Sequence, residues 1–116
     1  METKIIKNST ITRAELKALA HEQYGDVIKA VVDVKQSIMG VGGELHVDIE
    51  SLLIQQENSS HEDTWGINLY LDKIGDDFLE FDSMINLKPF QNNKSRNVED
   101  EEIQNKIKTI VNNLVK

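Results

Sequence analysis

The sequence predicts a single two-layer α+β domain spanning 1–116, with a mostly antiparallel sheet of four or five strands and with N-terminal and C-terminal helices on one sheet face. Two patterns predict this class. Hydrophobic residues recur with helical spacing near 12–24 and 101–115, whereas between those segments they alternate with polar residues and are interrupted by turn formers. Because both helices are expected on the same face, the other face should be bare.

Length, charge and cysteine content narrow the function classes. A chain of 116 residues is long enough to bury one hydrophobic core. With 13 Lys and Arg against 20 Asp and Glu, its net charge is -7, so neither nucleic acid nor an anionic membrane surface is expected as a partner. It has no cysteine for a disulfide or a thiolate metal site. No signal peptide or membrane-spanning run is recognised, so the expected compartment is the cytoplasm.

The N-terminal segment contains clear signals for a strand and a helix. KIIK at 4–7 is predicted to form a short edge strand. In the helix that follows, Thr12 is a candidate cap, Glu15 occupies the capping-box position, and Gly25 is a typical left-handed stop.

The central segments are predicted to form the rest of the sheet. The candidate strands are 26–34, 37–47, 65–72 and 78–88. The segment 48–56 fits both a strand and a helical stripe, and we favour the strand. Gly40, Gly42 and Gly43 indicate either a place where another group approaches the backbone closely or a strand thinned for packing.

The C-terminal part is predicted as a polar loop and a helix. Pro89 is expected to end the last strand because it has no N–H to donate to a neighbouring strand. Asp100 can cap the helix that follows the loop, and the hydrophobic residues from Ile103 to Val115 form one continuous helical stripe.

Alternation along the strands predicts a polar site on the bare face. If the apolar residues of 79–87 face the core, the polar residues between them face the bare side, together with polar residues of neighbouring strands. These candidates are Glu44, His46, Asn68, Tyr70, Glu80, Asp82, Asn86 and Lys88. We expect Arg96 to fold back from the following loop and to form one polar cluster with Asp82 and Asn86. The alternative is an ordinary solvated sheet face.

An acidic chain with these polar candidates and no recognised nucleophile favours a binding or regulatory module that takes a polar small molecule or a divalent cation. The alternative is a small metal-assisted hydrolase in which Glu44, His46 and Asp82 converge on one cation. The sequence HED at 61–63 is expected to be solvated, and no cofactor is identified. A homodimer through the bare face, with Val27, Val31 and Phe78 at the contact, is left open.

Several stretches resemble a known family. The stretches GDVIKAVVDV, GVGGELHVD, WGINLY, EFDSMINLKP and SRNVED are similar to those of short prokaryotic proteins catalogued only as a domain of unknown function. The similarity runs from about Leu16 to the last helix. In that family proline often follows the position of Asp100, whereas this chain has Glu101 there, which leaves the cap intact. The resemblance implies no activity.

Overall fold

The computed structural model describes residues 2–21 and 25–116, and within them it shows a five-stranded antiparallel sheet and three α-helices. The predicted α+β class is therefore confirmed. The strands are β1 (Lys4–Ile6), β2 (Val27–Asp33), β3 (Ile38–Val41), β4 (Thr64–Tyr70) and β5 (Leu79–Glu80), and the helices are α1 (Arg13–His21), α2 (His46–Glu57) and α3 (Glu101–Leu114). The strand order is β1-β3-β2-β4-β5. No helix in the described residues is long and apolar enough to cross a membrane.

One face of the sheet carries the main hydrophobic core. Alternate residues of β2 and β4, such as Ile28 and Ile67, point to this face and are buried there. They pack with Leu16 of α1 and with Ile107 and Val111 of α3. The prediction that both terminal helices lie on one face is therefore confirmed.

The caps of these two helices form as predicted. The N–H of Glu15 donates to Thr12 Oγ1 over 3.0 Å, and Glu15 Oε1 accepts from the N–H of Thr12, which completes a capping box. Asp100 accepts from the N–H of Glu102 at the start of α3. Gly25 is left-handed as expected, at φ +76°, while the predicted end of the first helix at 22–24 lies outside the described residues.

Helix α2 covers part of the other sheet face, so the expectation of a bare face is wrong. Its Ile49 and Leu53 are fully buried in a second apolar cluster with Val31 of β2. The favoured interpretation of 48–56 as a strand is also wrong. The glycines explain the close packing, because a Cβ at Gly40 would lie 2.6 Å from Ile49 Cγ2.

The predicted strands 37–47 and 78–88 are both shorter in the structure. β3 ends at Val41, and Gly42 and Gly43 follow it with positive φ values before α2 begins. β5 ends at Glu80, and the chain then forms 3₁₀ turns at Met84–Asn86 and Pro89–Gln91. Ser83 starts the first turn, since its Oγ accepts from the N–H of Ile85. Pro89 therefore begins a turn and does not end a strand.

The segment before α1 is joined to the end of α3. The N–H of Ile11 donates to the carbonyl of Leu114, and the N–H of Lys116 donates to the carbonyl of Ile11, both over 2.8 Å. These bonds form a parallel bridge between Ile11 and Val115. Both side chains pack in the main core, so the bridge attaches the end of α3 to the segment before α1.

Candidate functional site

The second sheet face is divided into a covered half and an open half. α2 and the Met84–Asn86 turn pack over Val31, Gly40 and Gly66. Beyond the N-terminus of α2, the side chains on the same face are only partly buried or exposed. We call this region the open half, formed by Val27, Lys29, Asn68, Tyr70 and Glu80. Lys29 lies opposite Asn68, and Asn68 lies opposite Glu80, across three adjacent strands.

The Glu80 carboxylate organises the polar side chains of the open half. Its Oε1 accepts from Asn68 Nδ2 over 2.9 Å and from the Tyr70 hydroxyl over 3.0 Å. Burial and the hydrogen bond to Glu80 raise the pKa of Tyr70, so its hydroxyl stays protonated and donates. Beside Tyr70 and Glu80 the surface forms an open depression of about 330 Å³, which Lys73, Asp76, Asp77 and Leu79 complete.

Asp82 and Arg96 form an ion pair at the margin of the open half. Arg96 Nε lies 2.6 Å from Asp82 Oδ1, and about half of each side chain is exposed. The backbone of Arg96 is fixed more firmly, because its carbonyl accepts from the N–H of Ser83 over 3.1 Å and from Asn86 Nδ2 over 2.9 Å. The predicted cluster of Asp82, Asn86 and Arg96 is confirmed as a set of contacts, but Asn86 binds the Arg96 backbone instead of the guanidinium.

His46 approaches the same region as the first residue of α2. Its Nε2 lies 2.8 Å from the carbonyl of Ile67, which can only accept, so Nε2 carries the hydrogen. Burial lowers the pKa of His46, and the imidazole is therefore neutral at pH 7. Its Cδ2 edge faces Gly66, where an added Cβ would lie 3.1 Å away, so the Nδ1 lone pair points away from Gly66. Glu44 is exposed in the connection before α2, not on a strand.

The ligand set of the metal-assisted hydrolase is not assembled. His46 Nε2 is held by the Ile67 carbonyl and Asp82 is paired with Arg96. Among residues 2–21 and 25–116, no group of three His, Asp or Glu side chains could hold a metal ion.

Asn86 and Lys88, which were predicted on an open surface, are fully buried. The reason lies at the edge of β4. Its pairing with β5 stops at Asn68, so the backbone groups of Gly66 and Thr64 need other partners. Asn86 Oδ1 accepts from the N–H of Gly66 over 2.8 Å, and its Nδ2 donates to the Gly66 carbonyl over 3.0 Å. One side-chain amide thus takes the place of a strand residue.

Lys88 donates a hydrogen bond to another backbone carbonyl at the same edge of β4, that of Thr64. Its Nζ donates to the carbonyls of Thr64 and Ile85, both over 2.8 Å, and lies 4.4 Å from the centre of the Trp65 ring. Burial lowers the pKa of Lys88 to about 8, although the carboxylates of Glu50 and Asp63 oppose this shift. Asn86 and Lys88 therefore hold the fold and are removed from the candidate site.

Sequence reasoning missed a buried carboxylate in α2. Glu50 Oε2 accepts from His61 Nδ1 over 2.7 Å and from the Thr64 hydroxyl. The His61 ring also lies 6.0 Å from the ring of Phe90. A helical interpretation of 48–56 would have placed Glu50 beside the buried Ile49 and Leu53, which is the signal that could have identified it.

The homodimer contact expected from the sequence has to be revised. Val31 is buried under α2, and Phe78 lies in the main core on the opposite face. Of the three residues proposed for this contact, only Val27 remains partly exposed on the open half.

Comparison with known proteins identifies the family. The chain belongs to DUF5674, which is described as a protein of unknown function, and the family model matches residues 4–114. The resemblance to a domain of unknown function is thereby confirmed. No curated protein and no solved structure matches the chain.

Proposed function

We propose that this member of DUF5674 is a binding module that takes a polar small molecule at the open half of the second sheet face. The ligand would carry an anionic group, such as a carboxylate or a phosphate, together with a hydrogen-bond donor. Arg96 would bind the anionic group, while the free carboxylate oxygens of Glu80 and Asp82 would accept from the donor. We also propose the cytoplasm as its compartment, on the basis of the cysteine-free sequence.

The position of Arg96 carries this proposal. Two hydrogen bonds hold its backbone carbonyl. Its side chain is about half exposed, and within the described residues the guanidinium donates one hydrogen bond, from Nε to Asp82. A guanidinium has five N–H groups in a rigid fork. The anchored backbone therefore presents donors to solvent at a defined place, which lowers the ordering cost of binding an anion.

Two neighbouring groups support the same ligand chemistry. Neutral His46 and the protonated Tyr70 keep fixed hydrogen-bonding roles near pH 7, because their pKa values are shifted away from neutrality. Their contacts to Ile67 and Glu80 hold both side chains in place. These features favour recognition of a ligand and supply no activated nucleophile.

Thermal unfolding with a panel of phosphate, dicarboxylates and amino acids tests the proposal. A compound that binds only the folded chain raises the unfolding midpoint. We expect at least one anionic compound to raise it for the natural chain and for Lys94→Ala, an exposed lysine of the same segment. Arg96→Ala should abolish the response. An equal response in Arg96→Ala, or no response to any anionic compound, would contradict the proposed site.

Divalent metal ions provide a second arm that separates this site from a metal-assisted hydrolase. We expect Mg²⁺, Mn²⁺ or Zn²⁺ alone to leave the midpoint unchanged, because Asp82 is neutralised by Arg96. A metal-dependent rise that is lost in both Asp82→Asn and His46→Gln would favour the hydrolase instead.

A further inference from the structure

The exposed hydrophobic side chains are concentrated around α2. Among the described residues six large hydrophobic side chains are exposed, and only Ile74 lies in the turn between β4 and β5. The other five lie at the start of α2, on its outer side, in the turn that packs beside it or next to the His61 ring, and they are Leu45, Val47, Ile54, Met84 and Phe90. Phe90 and Met84 are 65% and 62% exposed. Such a concentration is typical of an interaction surface.

Local contacts connect these side chains into one surface. Val47, Glu50 and Ile54 follow one another at spacings of three and four residues, so they form a single ridge on α2. Glu50 binds His61, and the His61 ring lies beside Phe90. The turn containing Met84 packs directly against α2. We call Val47, Ile54, Met84 and Phe90 the α2 surface.

Most of the charged side chains around the α2 surface are acidic, and the nearby Lys7 is paired with Glu57 at the end of α2. Between Lys35 and Lys73 the sequence contains no Lys or Arg. The same stretch contains the acidic residues Glu44, Asp48, Glu50, Glu57, Glu62, Asp63 and Asp72. Of these, Glu44, Asp48 and Glu62 are exposed near α2 or His61. The surface is therefore apolar with an acidic margin.

We infer that the α2 surface binds a basic amphipathic segment of a partner protein, most simply a helix with an apolar face and flanking Lys or Arg residues. The apolar face would cover Val47, Ile54, Met84 and Phe90, and its cations would meet Glu44, Asp48 and Glu62. A second copy of this chain fits less well, because both copies would bring the same acidic margin to the contact. This inference is independent of the small-molecule site.

A binding assay with designed peptides tests this inference. The probe is a fluorescently labelled helical peptide with Leu on one face and Lys on the other. The matched peptides carry Glu in place of Lys, or Ser in place of Leu. We expect the Leu/Lys peptide to bind, its affinity to fall with added salt, and both matched peptides to bind at least about tenfold more weakly.

Surface variants locate the binding. Ile54→Ser and Phe90→Ser should each weaken binding of the Leu/Lys peptide about tenfold or more, since both side chains are exposed and their loss should not unfold the chain. Ile74→Ser is the control for an exposed side chain elsewhere, and Arg96→Ala is the control for the small-molecule site. Both controls should bind as the natural chain does.

Several results would overturn the inference. These results are that the Leu/Lys peptide fails to bind, that the Ser-containing peptide binds equally well, or that Ile74→Ser loses as much affinity as Ile54→Ser. Sedimentation that shows self-association, abolished by Ile54→Ser and Phe90→Ser, would assign the α2 surface to a second copy of the chain instead.

Discussion

The two halves of the second sheet face use similar polar residues for different purposes. In the covered half, Asn86 and Lys88 are buried and satisfy backbone groups of β4. In the open half, Asn68 and Glu80 bind each other at the surface, next to the exposed Arg96. Both sets of polar residues make their contacts along the same edge of β4, the edge that pairs with β5. Residue type therefore does not identify a site here, because the path of the chain beyond β5 decides which polar groups are buried.

The largest expected loss of stability comes from placing a side chain on Gly66, in the covered half. A Cβ there would lie 2.5 Å from both Cβ and Oγ of Ser83 and 3.1 Å from His46 Cδ2. Overpacking usually costs about 1 to 3 kcal/mol, and we expect Gly66→Ala to cost about 4 kcal/mol because neighbours on two elements must move. Urea denaturation measures the loss.

A double variant checks the cause of that loss. Ser83→Gly removes both atoms nearest to the new Cβ, so Gly66→Ala combined with Ser83→Gly should lose less stability than the two single losses added together. Strictly additive losses would show that the contact with Ser83 is not responsible.

Removal of the Asn86 amide should cause the next largest loss of stability. Asn86→Ala leaves the N–H and the carbonyl of Gly66 buried without their partner, and we expect a loss of about 3 kcal/mol in the free energy of unfolding. Asn68→Ala is the matched change in the open half and should cost about 1 kcal/mol or less, because one acceptor of its amide, Glu80, is exposed and the other, the Asp82 carbonyl, is only partly buried. Similar losses for the two variants would remove the distinction between the halves.

Lys88 should make stability depend on alkaline pH. Its pKa is about 8 in the folded chain, against an ordinary value of 10.5. Between these values the unfolded chain binds the proton while the folded chain has released it, so stability rises with pH. We expect the natural chain to gain about 2 to 3 kcal/mol relative to Lys88→Met between pH 7 and pH 10.5.

Urea denaturation of both proteins across that pH range measures the gain, since contributions of other groups cancel in the difference. The exposed Lys94 lies in the same segment, and Lys94→Met is the control. A pH-independent difference between Lys88→Met and the natural chain would show that burial does not perturb Lys88.

The smallest effect is expected in the open half. Arg96→Ala removes an exposed ion pair, and the hydrogen bonds to the Arg96 carbonyl stay in place. We therefore expect a loss of less than about 1 kcal/mol in the free energy of unfolding. Hydrogen exchange of 82–97 should also remain unchanged, whereas faster exchange confined to that segment would indicate a structural clasp.

Local signals explain which parts of the fold were predictable. The capping box of Thr12 and Glu15 and the cap at Asp100 depend on neighbouring residues only, and the alternation of β2 and β4 follows directly from the sequence. A helix at 48–56 was considered but not favoured, because its apolar stripe is short and its packing depends on Gly40 and Gly66 of distant strands.

The candidate site was predictable only in part, for a similar reason. Alternation correctly placed Asn68, Tyr70 and Glu80 on one face, and the loop length correctly brought Arg96 to Asp82. The burial of Asn86 and Lys88 depends on where β5 ends, and a strand end set by tertiary contacts leaves little trace in the sequence. The binding role of the open half stays a prediction.

The bridge between Ile11 and Val115 has a consequence for synthesis of the chain on the ribosome. It joins positions about 100 residues apart, and the main core lacks Ile107, Ile110 and Val111 until α3 has been made. A nascent chain that already contains the whole sheet therefore still exposes the apolar face that α3 will cover. The main core should therefore be completed only once α3 has left the ribosomal tunnel, and until then that face is available to chaperones.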